Sequence, residues 1–219
     1  KWDLSTVNRV DYFIANSKFV SERIQRTYGR ESTVIYPPVN TDKFTHCDNK
    51  EDFYLTASRL VSYKKTKLIV KSFVNMPDKK LVVIGAGEEY KEIKKIAKKS
   101  QNISVLGFCN DKIMIETMQK AKAFIYAAVE DFGIVPIEAM SCGTPVIALN
   151  DGGTAETVRD GVNGIHFNSQ TTEEIVKAVN RFEMMNFNSK EISKDAHVYS
   201  QKRFLSEINN FILHKINNK

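Results

Sequence analysis

Short apolar runs alternate with amphipathic segments along most of this chain of 219 residues. A run of four or five apolar residues predicts a buried strand, whereas apolar residues that recur every three or four positions are typical of a helix covering a core. Strands and helices alternate in this way from residue 53 onwards, which predicts a doubly wound α/β fold with a parallel sheet. We expect strands over residues 53–57, 80–84, 103–106, 123–127, 145–149 and 164–167. We expect helices over residues 66–74, 88–99, 111–120 and 155–158, and a further helix capped at Thr171.

The two ends of the chain depart from this alternation. Near the start, strands over residues 10–15 and 33–36 flank a helix over residues 18–28 that Ser17 can cap. Two strands and one helix cannot bury a core alone, so we interpret this segment as the end of something larger. The last thirty or so residues have a helical pattern with one apolar side. The chain therefore divides into three predicted parts, which are residues 1–45, 46–188 and 189–219.

Composition narrows the class of protein. The apolar fraction of 42% is typical of a globular chain. A formal charge of +6 suits a phosphate-bearing ligand or a peripheral contact with an anionic membrane surface, and it suits a solvated lysine-rich face equally well. No apolar run approaches the length of about 18 residues that a membrane span needs, and no secretory signal pattern is present. The 3 scattered cysteines lack metal-ligand spacing, which favours a reducing, cytoplasmic compartment. Nucleic acid is not expected as a partner.

Two carboxylates stand on either side of a glycine turn in the centre of the sequence. Glu130 follows the predicted strand 123–127, and Glu138 lies in what we expect to be the first turn of a helix containing Pro136. The N–H groups that begin such a helix point beyond the strand's carboxyl end and bind anions, and Gly133 lets phosphates approach the backbone. A carboxylate that accepts two neighbouring hydroxyls can hold a sugar ring. The alternative is that Glu138 only complements the helix dipole while Glu130 is solvated.

Basic residues and glycines follow two other predicted strands. Arg59 and Lys64 can neutralise a diphosphate from one side, although a solvated basic loop is the alternative. Gly85 and Gly87 follow the strand 80–84 and invite a dinucleotide-cofactor interpretation. That interpretation fails because Tyr90 stands where the motif needs its third glycine, and no acidic residue lies about twenty positions further on.

A longer motif carries a resemblance. The stretch Glu130-Asp-Phe-Gly-Ile-Val-Pro-Ile-Glu138, followed by Ala-Met-Ser-Cys-Gly-Thr-Pro-Val-Ile, resembles the signature of retaining GT-B glycosyltransferases of the group 1 family. The nearest subset is the mannosyltransferases of surface-polysaccharide assembly. The resemblance covers nearly the whole chain, and residues 15–20 and 34–42 resemble the last elements of the family's N-terminal acceptor domain and its linker. One departure is Ser58, where many relatives carry glycine.

The resemblance implies a fold and a reaction. Residues 46–188 would form the Rossmann-like donor domain and residues 189–219 a helical tail that crosses back to the N-terminal domain. The reaction would transfer a hexose, namely mannose from GDP-mannose, to a glycan or lipid-linked acceptor with retention. No cofactor or metal is expected. The catalytic residues implied are Arg59, Lys64 and Glu130. The donor-binding residues implied are Lys65, Gly85, Gly87, Gly107, Phe108, Phe132, Gly133, Ile134, Val135 and Glu138. Phe108 is alternatively a core residue.

Most of the acceptor domain lies outside this sequence if the resemblance holds. We therefore expect a donor-binding half that is inactive or weak without an acceptor domain, whether that domain belongs to a longer chain or to a partner chain. One alternative is a nucleotide-sugar epimerase, which needs catalytic acids that the sequence does not locate. The other is a non-catalytic nucleotide-sugar-binding subunit that completes its site with a separate chain.

Overall fold

A computed structural model describes residues 2–217 of the chain. Its eight strands are β1 (Phe13–Ala15), β2 (Ser32–Val34), β3 (Tyr54–Ala57), β4 (Leu81–Ile84), β5 (Ile103–Gly107), β6 (Ala123–Tyr126), β7 (Val146–Leu149) and β8 (Gly164–Phe167). Its α-helices are α1 (Trp2–Thr6), α2 (Lys18–Tyr28), α3 (Thr66–Val74), α4 (Tyr90–Ala97), α5 (Asp111–Lys120), α6 (Ile134–Ser141), α7 (Thr154–Thr157), α8 (Thr172–Glu183), α9 (Ser189–Ala196) and α10 (Gln201–Asn217).

Six strands form one parallel sheet in the order β5-β4-β3-β6-β7-β8. The order runs outward in both directions from the β3–β6 pair, which makes this pair the switch point of a doubly wound sheet. The α/β fold class expected from the alternation is therefore confirmed. A ligand of such a sheet binds in the crevice at the carboxyl ends of the two switch-point strands.

Alternate residues of the central strands face two separate cores. On β6, Ala123 and Ile125 belong to the core covered by α3, α4 and α8, whereas Phe124 and Tyr126 belong to the core covered by α5, α6 and α9. All four β6 residues are at most 2% exposed. A strand that is covered on both faces reads as a continuous apolar run, which explains why the pattern predicted β6 to within one residue.

The chain start forms a small unit beside the large sheet. Strands β1 and β2 pair in parallel, and α2 packs against them after a cap in which the Ser17 hydroxyl accepts the Val20 N–H. The predicted strand 10–15 was too long, because only its last three residues pair, and the strand predicted over residues 33–36 is shifted to Ser32–Val34. The sequence pattern did not predict α1.

A carboxylate that follows strand β7 of the large sheet bonds the small unit at the chain start. Glu156, in α7, accepts the backbone N–H groups of Lys18 (3.0 Å) and Phe19 (3.1 Å) and the hydroxyl of Tyr36 (3.0 Å). The first N–H groups of a helix have no partner within the helix, and a carboxylate both bonds them and complements the helix dipole. Glu156 therefore fixes the start of α2 against the large sheet.

The chain end forms two α-helices, and the continuous helical pattern did not predict the break between them. Helix α9 packs against α6, a short 3-10 turn follows, and Ser200 is extended and bridges to Val39. Helix α10 then runs back towards the chain start, where the ring of Phe211 lies 6.3 Å from that of Tyr12. Within residues 2–217, no helix is both long and apolar enough to cross a bilayer.

The three cysteines differ sharply in environment, which predicts their reactivity. Cys142 is fully buried at the end of α6, and this burial raises the pKa of its thiol to about 12. Cys47 and Cys109 are partly exposed. Because only the thiolate reacts, we expect a disulfide reagent to label Cys47 and Cys109 in the native protein and Cys142 only after unfolding. Mass spectrometry of labelled peptides, with and without concentrated guanidinium, measures this, and rapid native labelling of Cys142 would contradict it.

Candidate functional site

Two neighbouring cavities lie at the carboxyl ends of the switch-point strands. The first, which we call the Glu130 cavity, has a volume of about 560 Å³ and is bounded by the loop after β6 and the start of α6. The second, the Glu138 cavity, has a volume of about 410 Å³ and is bounded by the ends of β3, β4 and β5 and by α5 and α6. Val135 lines both cavities, so they are adjacent halves of one crevice.

Three polar groups converge at the floor of the Glu130 cavity. Lys64 forms an ion pair with one oxygen of Glu130, and the hydroxyl of Tyr126 donates to the other. The Lys64 ammonium also donates to the Tyr126 oxygen over 3.2 Å. The side chains of Lys64 and Glu130 are only 12% and 22% exposed, so their mutual attraction is screened less than that of a surface pair.

The loop after β3 directs the adjacent residues Lys64 and Lys65 to different depressions of the surface. A 3-10 turn (Ser62–Lys64) turns Lys64 into the Glu130 cavity. Lys65 has a left-handed backbone with φ of 57° and lines a different depression beside α3, together with Lys67 and Lys71. Lys65 was predicted to bind the donor, but it lines neither the Glu130 cavity nor the Glu138 cavity.

Helix α6 begins at the boundary of the two cavities. Gly133 precedes it with φ of 88°, a conformation that residues with a side chain rarely adopt. Gly133, Ile134 and Val135 line the Glu130 cavity, and within the described residues no acceptor bonds their N–H groups. Phe132 contributes to the same wall, but its ring is buried against Tyr36 at 5.7 Å. This cluster of free N–H groups suits an anion.

Glu138 stands in the second turn of α6, one turn later than the sequence indicated, and faces the Glu138 cavity. Burial raises the pKa of its carboxyl group, an effect that nearby Asp111 reinforces and Lys43 opposes. No hydrogen bond or ion pair reaches this carboxylate from any residue between 2 and 217. A partly buried acceptor without a partner is costly in a structural role, which favours a ligand as its partner.

The end of the Glu138 cavity next to β3 carries the other predicted cation. Arg59 is exposed, and no residue in the part of the chain that the structure describes bonds its guanidinium. Gly85 lines the same cavity, where a Cβ atom would collide with the Ser58 carbonyl oxygen. Gly87 and Gly107 line neither cavity: the former packs against the Leu60 backbone and the latter against the Tyr90 ring.

Phe108 is 83% exposed at the rim of the Glu138 cavity, so the alternative that it belongs to the core is wrong. An exposed aromatic ring beside a cavity offers a flat apolar face to a ligand. Two aromatic residues of the Glu130 cavity were not predicted from the sequence, Tyr63 on its wall and Tyr126 beneath it. The available signal for Tyr126 was a hydroxyl-bearing residue at the end of an otherwise apolar strand.

The structure thus brings the four charged candidates to one crevice as two pairs. Lys64 contacts Glu130, and Arg59 shares a cavity with Glu138. No three His, Cys, Asp or Glu side chains among residues 2–217 are grouped so as to hold a metal ion. The absence of a metal from the reaction stays a prediction.

Comparison with known proteins places this crevice in a family context. Residues 40–201 match the family model described as glycosyl transferases group 1. The alpha-1,3/1,6-mannosyltransferase ALG2 of Saccharomyces cerevisiae is 26% identical, over 76% of this chain and 44% of the yeast protein. A GDP-mannose-dependent monoacylated alpha-(1-6)-phosphatidylinositol monomannoside mannosyltransferase of Corynebacterium glutamicum is 36% identical, over 68% of this chain and 47% of that protein. The chain spans about half the length of the curated relatives it matches.

Solved structures share the fold at low sequence identity. The lipopolysaccharide outer core galactosyltransferase WaaB in its apo form superposes with a TM-score of 0.82 at 19% identity, over 95% of this chain and 63% of that one. Anabaena HepE, in complex with UDP and glucose, superposes with a TM-score of 0.75 at 22% identity, over 99% of this chain and 66% of that one. These similarities support the GT-B arrangement of the large sheet.

The environment of Glu138 predicts an unusual effect on stability. Because its folded-state pKa is raised, the charged form costs stability, and this cost appears as pH rises above the ordinary value of 4.5 through the folded-state pKa. We expect Glu138→Gln to raise the melting temperature at neutral pH by about 1–3 °C, and by less near the ordinary glutamate pKa.

Glu156→Gln provides the matched control for thermal unfolding. Its carboxylate already accepts three hydrogen bonds, so the same substitution should lower the melting temperature. A lower melting temperature for Glu138→Gln at neutral pH would show that this carboxylate has a structural partner.

Proposed function

Because the chain belongs to the group 1 family of glycosyltransferases, we propose that it supplies the donor-binding half of a retaining enzyme that transfers mannose from GDP-mannose to a glycan or lipid-linked acceptor. The observation that carries the proposal is the crevice at the switch point. It combines an unpartnered carboxylate, an unpartnered guanidinium and free helix N–H groups within two adjoining cavities. Such a set matches the hydroxyls and phosphates of a nucleotide sugar.

The nucleoside of the donor fits the Glu138 cavity. The exposed ring of Phe108 offers a stacking face for the base, and Glu138 offers a carboxylate to the vicinal ribose hydroxyls. A hydrogen bond from a ribose hydroxyl would offset part of the free energy that the burial of the Glu138 carboxylate costs.

The diphosphate lies across the boundary of the cavities in this proposal. Arg59 approaches from the β3 side, and the N–H groups of Ile134 and Val135 approach from the start of α6. When the bond to the sugar breaks, negative charge develops on the leaving diphosphate. Fixed cations and N–H groups that stabilise this charge more strongly than the ground state accelerate the reaction.

The sugar occupies the Glu130 cavity, where Lys64 and Glu130 act as the remaining polar groups. Lys64 forms an ion pair with Glu130, so contact with the donor phosphate requires this lysine to turn away from that carboxylate. Retention then follows the family's scheme, in which the acceptor attacks from the face that the phosphate leaves and a phosphate oxygen takes the acceptor's proton. The chain's own contribution is to hold the sugar and neutralise the leaving group.

Guanine is the base that we propose for the donor. The Corynebacterium relative is named as GDP-mannose-dependent, at 36% identity. Asp111, at the start of α5, lines the Glu138 cavity near Phe108. A carboxylate accepts the two adjacent N–H donors of guanine, whereas uracil offers only one donor on its corresponding edge. Asp111 is paired with Lys43 at 2.6 Å on the surface, and a surface pair of this kind opens at little cost.

The acceptor half is expected to pack on the small unit and α10. Large apolar side chains stand exposed there, including Trp2 at 79%, Leu4 at 54% and Leu213 at 57%. Exposed apolar groups clustered in this way mark an interface. A second candidate function, that of a nucleotide-sugar-binding subunit that completes its site with a partner chain, rests on the same surface. Copurification of a second polypeptide, against activity of a single longer chain, distinguishes the two.

Titration calorimetry tests the donor site directly. We expect GDP to bind more tightly than UDP, and Arg59→Ala to weaken GDP binding by about 10- to 100-fold through loss of a charge-assisted hydrogen bond to phosphate. Lys91→Ala, which removes an exposed lysine on α4, is the control and should leave binding unchanged. The proposal fails if no nucleoside diphosphate produces binding heat with the wild-type protein.

Thiol protection offers an independent check on the nucleoside's location. Cys109 lines the Glu138 cavity, whereas Cys47 lies outside it. Saturating GDP should slow the labelling of Cys109 and leave the rate at Cys47 unchanged, because the bound base excludes reagent from the cavity. Peptide mass spectrometry measures the labelling rates of Cys109 and Cys47 with and without GDP. Equal rates at Cys109 with and without bound GDP would locate the nucleoside elsewhere.

A further inference from the structure

One buried hydroxyl beside the crevice has no part in the donor contacts described above. Tyr126 ends β6 with 2% exposure, and its phenol donates to Glu130 while accepting from Lys64. Tyr126 does not line the Glu130 cavity, so it reaches a bound ligand only through these two neighbours. A buried phenol needs a hydrogen-bond partner, but any fixed acceptor would satisfy that need. Here the partners are Glu130 and Lys64, the two charged residues of the Glu130 cavity.

The ring of Tyr126 is held more firmly than the loop above it. Its strand is paired on both sides, with β3 and β7, and its ring stacks on Phe124 with 6.2 Å between ring centroids. Burial, together with the bond to Glu130, raises the pKa of Tyr126, so the phenol stays protonated and remains a donor. Glu130, by contrast, lies in the loop between β6 and α6. A donor on a rigid strand thus anchors an acceptor on a loop.

We propose that Tyr126 is a positioning residue that keeps Glu130 directed at the donor sugar after Lys64 has turned to the diphosphate. This inference rests on the proposed function, because it assigns Lys64 to phosphate and Glu130 to sugar. Glu130 has two side-chain partners, Lys64 on one carboxylate oxygen and Tyr126 on the other. Once Lys64 leaves, the phenol alone retains one oxygen of Glu130, and the freed oxygen is presented to a sugar hydroxyl.

The expected signature is a change in discrimination between nucleotide and nucleotide sugar. Calorimetry gives the ratio of the dissociation constants for GDP-mannose and GDP. In Tyr126→Phe we expect GDP binding to stay within about twofold of wild type, because the phosphate contacts are intact. The ratio should rise by about tenfold, as expected for one charge-assisted hydrogen bond that is no longer held in place. A purely structural loss would weaken both ligands together.

Tyr54→Phe is the matched control. Tyr54 is 1% exposed, and its phenol also donates to a carboxylate, that of Glu183, at the opposite end of the sheet. Both substitutions remove a buried phenol–carboxylate bond, so both should lower the melting temperature. Only Tyr126→Phe should change the ratio of dissociation constants. A change of equal size in Tyr54→Phe would overturn the inference.

A double-mutant cycle tests whether Tyr126 acts through Glu130. Glu130→Ala should raise the same ratio by itself, and adding Tyr126→Phe to it should produce no further rise, because the group being positioned is gone. Additive effects would overturn the inference. So would an unchanged ratio in Tyr126→Phe while wild type binds both ligands. If wild type binds neither GDP nor GDP-mannose, and neither UDP nor UDP-glucose, the proposed function itself fails and the inference fails with it.

A measurement on the wild-type protein covers the case in which Tyr126→Phe does not fold. A phenol proton bound to a carboxylate exchanges slowly when buried and is visible downfield in proton NMR. The resonance that Glu130→Ala abolishes belongs to Tyr126. We expect it to persist when GDP-mannose is bound, and its loss on GDP-mannose binding would show that Tyr126 releases Glu130 and would overturn the inference.

Discussion

The parallel pairing of β3 with β6 is the constraint on which the candidate site depends. Tyr54 lies opposite Ala123 and Leu55 opposite Phe124, and the chain winds away from this pair in both directions. The helix after β3, α3, contacts β5, and the helix after β6, α6, contacts β7, so the chain leaves the two carboxyl ends in opposite directions. Two loops more than sixty residues apart in sequence therefore meet there, and the ion pair between Lys64 and Glu130 bridges them.

The crevice combines one charge pair that is satisfied with two charged groups that are not. Lys64 and Glu130 neutralise each other where both side chains are largely buried, whereas no residue of the described part of the chain bonds Arg59 or Glu138 in the adjoining cavity. Removing either member of this partly buried pair leaves the other charge unpaired, so a single substitution of Lys64 or Glu130 destabilises the fold. Glu138 has no such partner among the described residues, and the burial of its charged form costs stability. The pair and the unpartnered carboxylate therefore respond oppositely to substitution within one site.

The sequence predicted most elements of the sheet because each has a local cause. Strands that are covered on both faces are continuous apolar runs. Helices α2 and α8 begin at side-chain caps, and Ser17 and Thr171 are residue types that predict such caps. The site was harder to predict, since contacts between loops have no local signal. Lys65 differs from Lys64 only by a left-handed backbone, which turns it into another depression. The contact of Tyr126 with Glu130 depends on how far the loop folds back over its own strand, which no periodicity encodes.

The small unit at the chain start is in contact with residues beside the Glu130 cavity. Glu156 binds the start of α2 and the hydroxyl of Tyr36, and the ring of Tyr36 packs on Phe132 at 5.7 Å. Phe132 lies two residues after Glu130, and its ring also meets that of Tyr199, which precedes α10, at 5.5 Å. The small unit and the loop that carries Glu130 are therefore in contact through one cluster of packed aromatic rings. In a close-packed cluster of this kind, a shift of one ring changes the packing of the others.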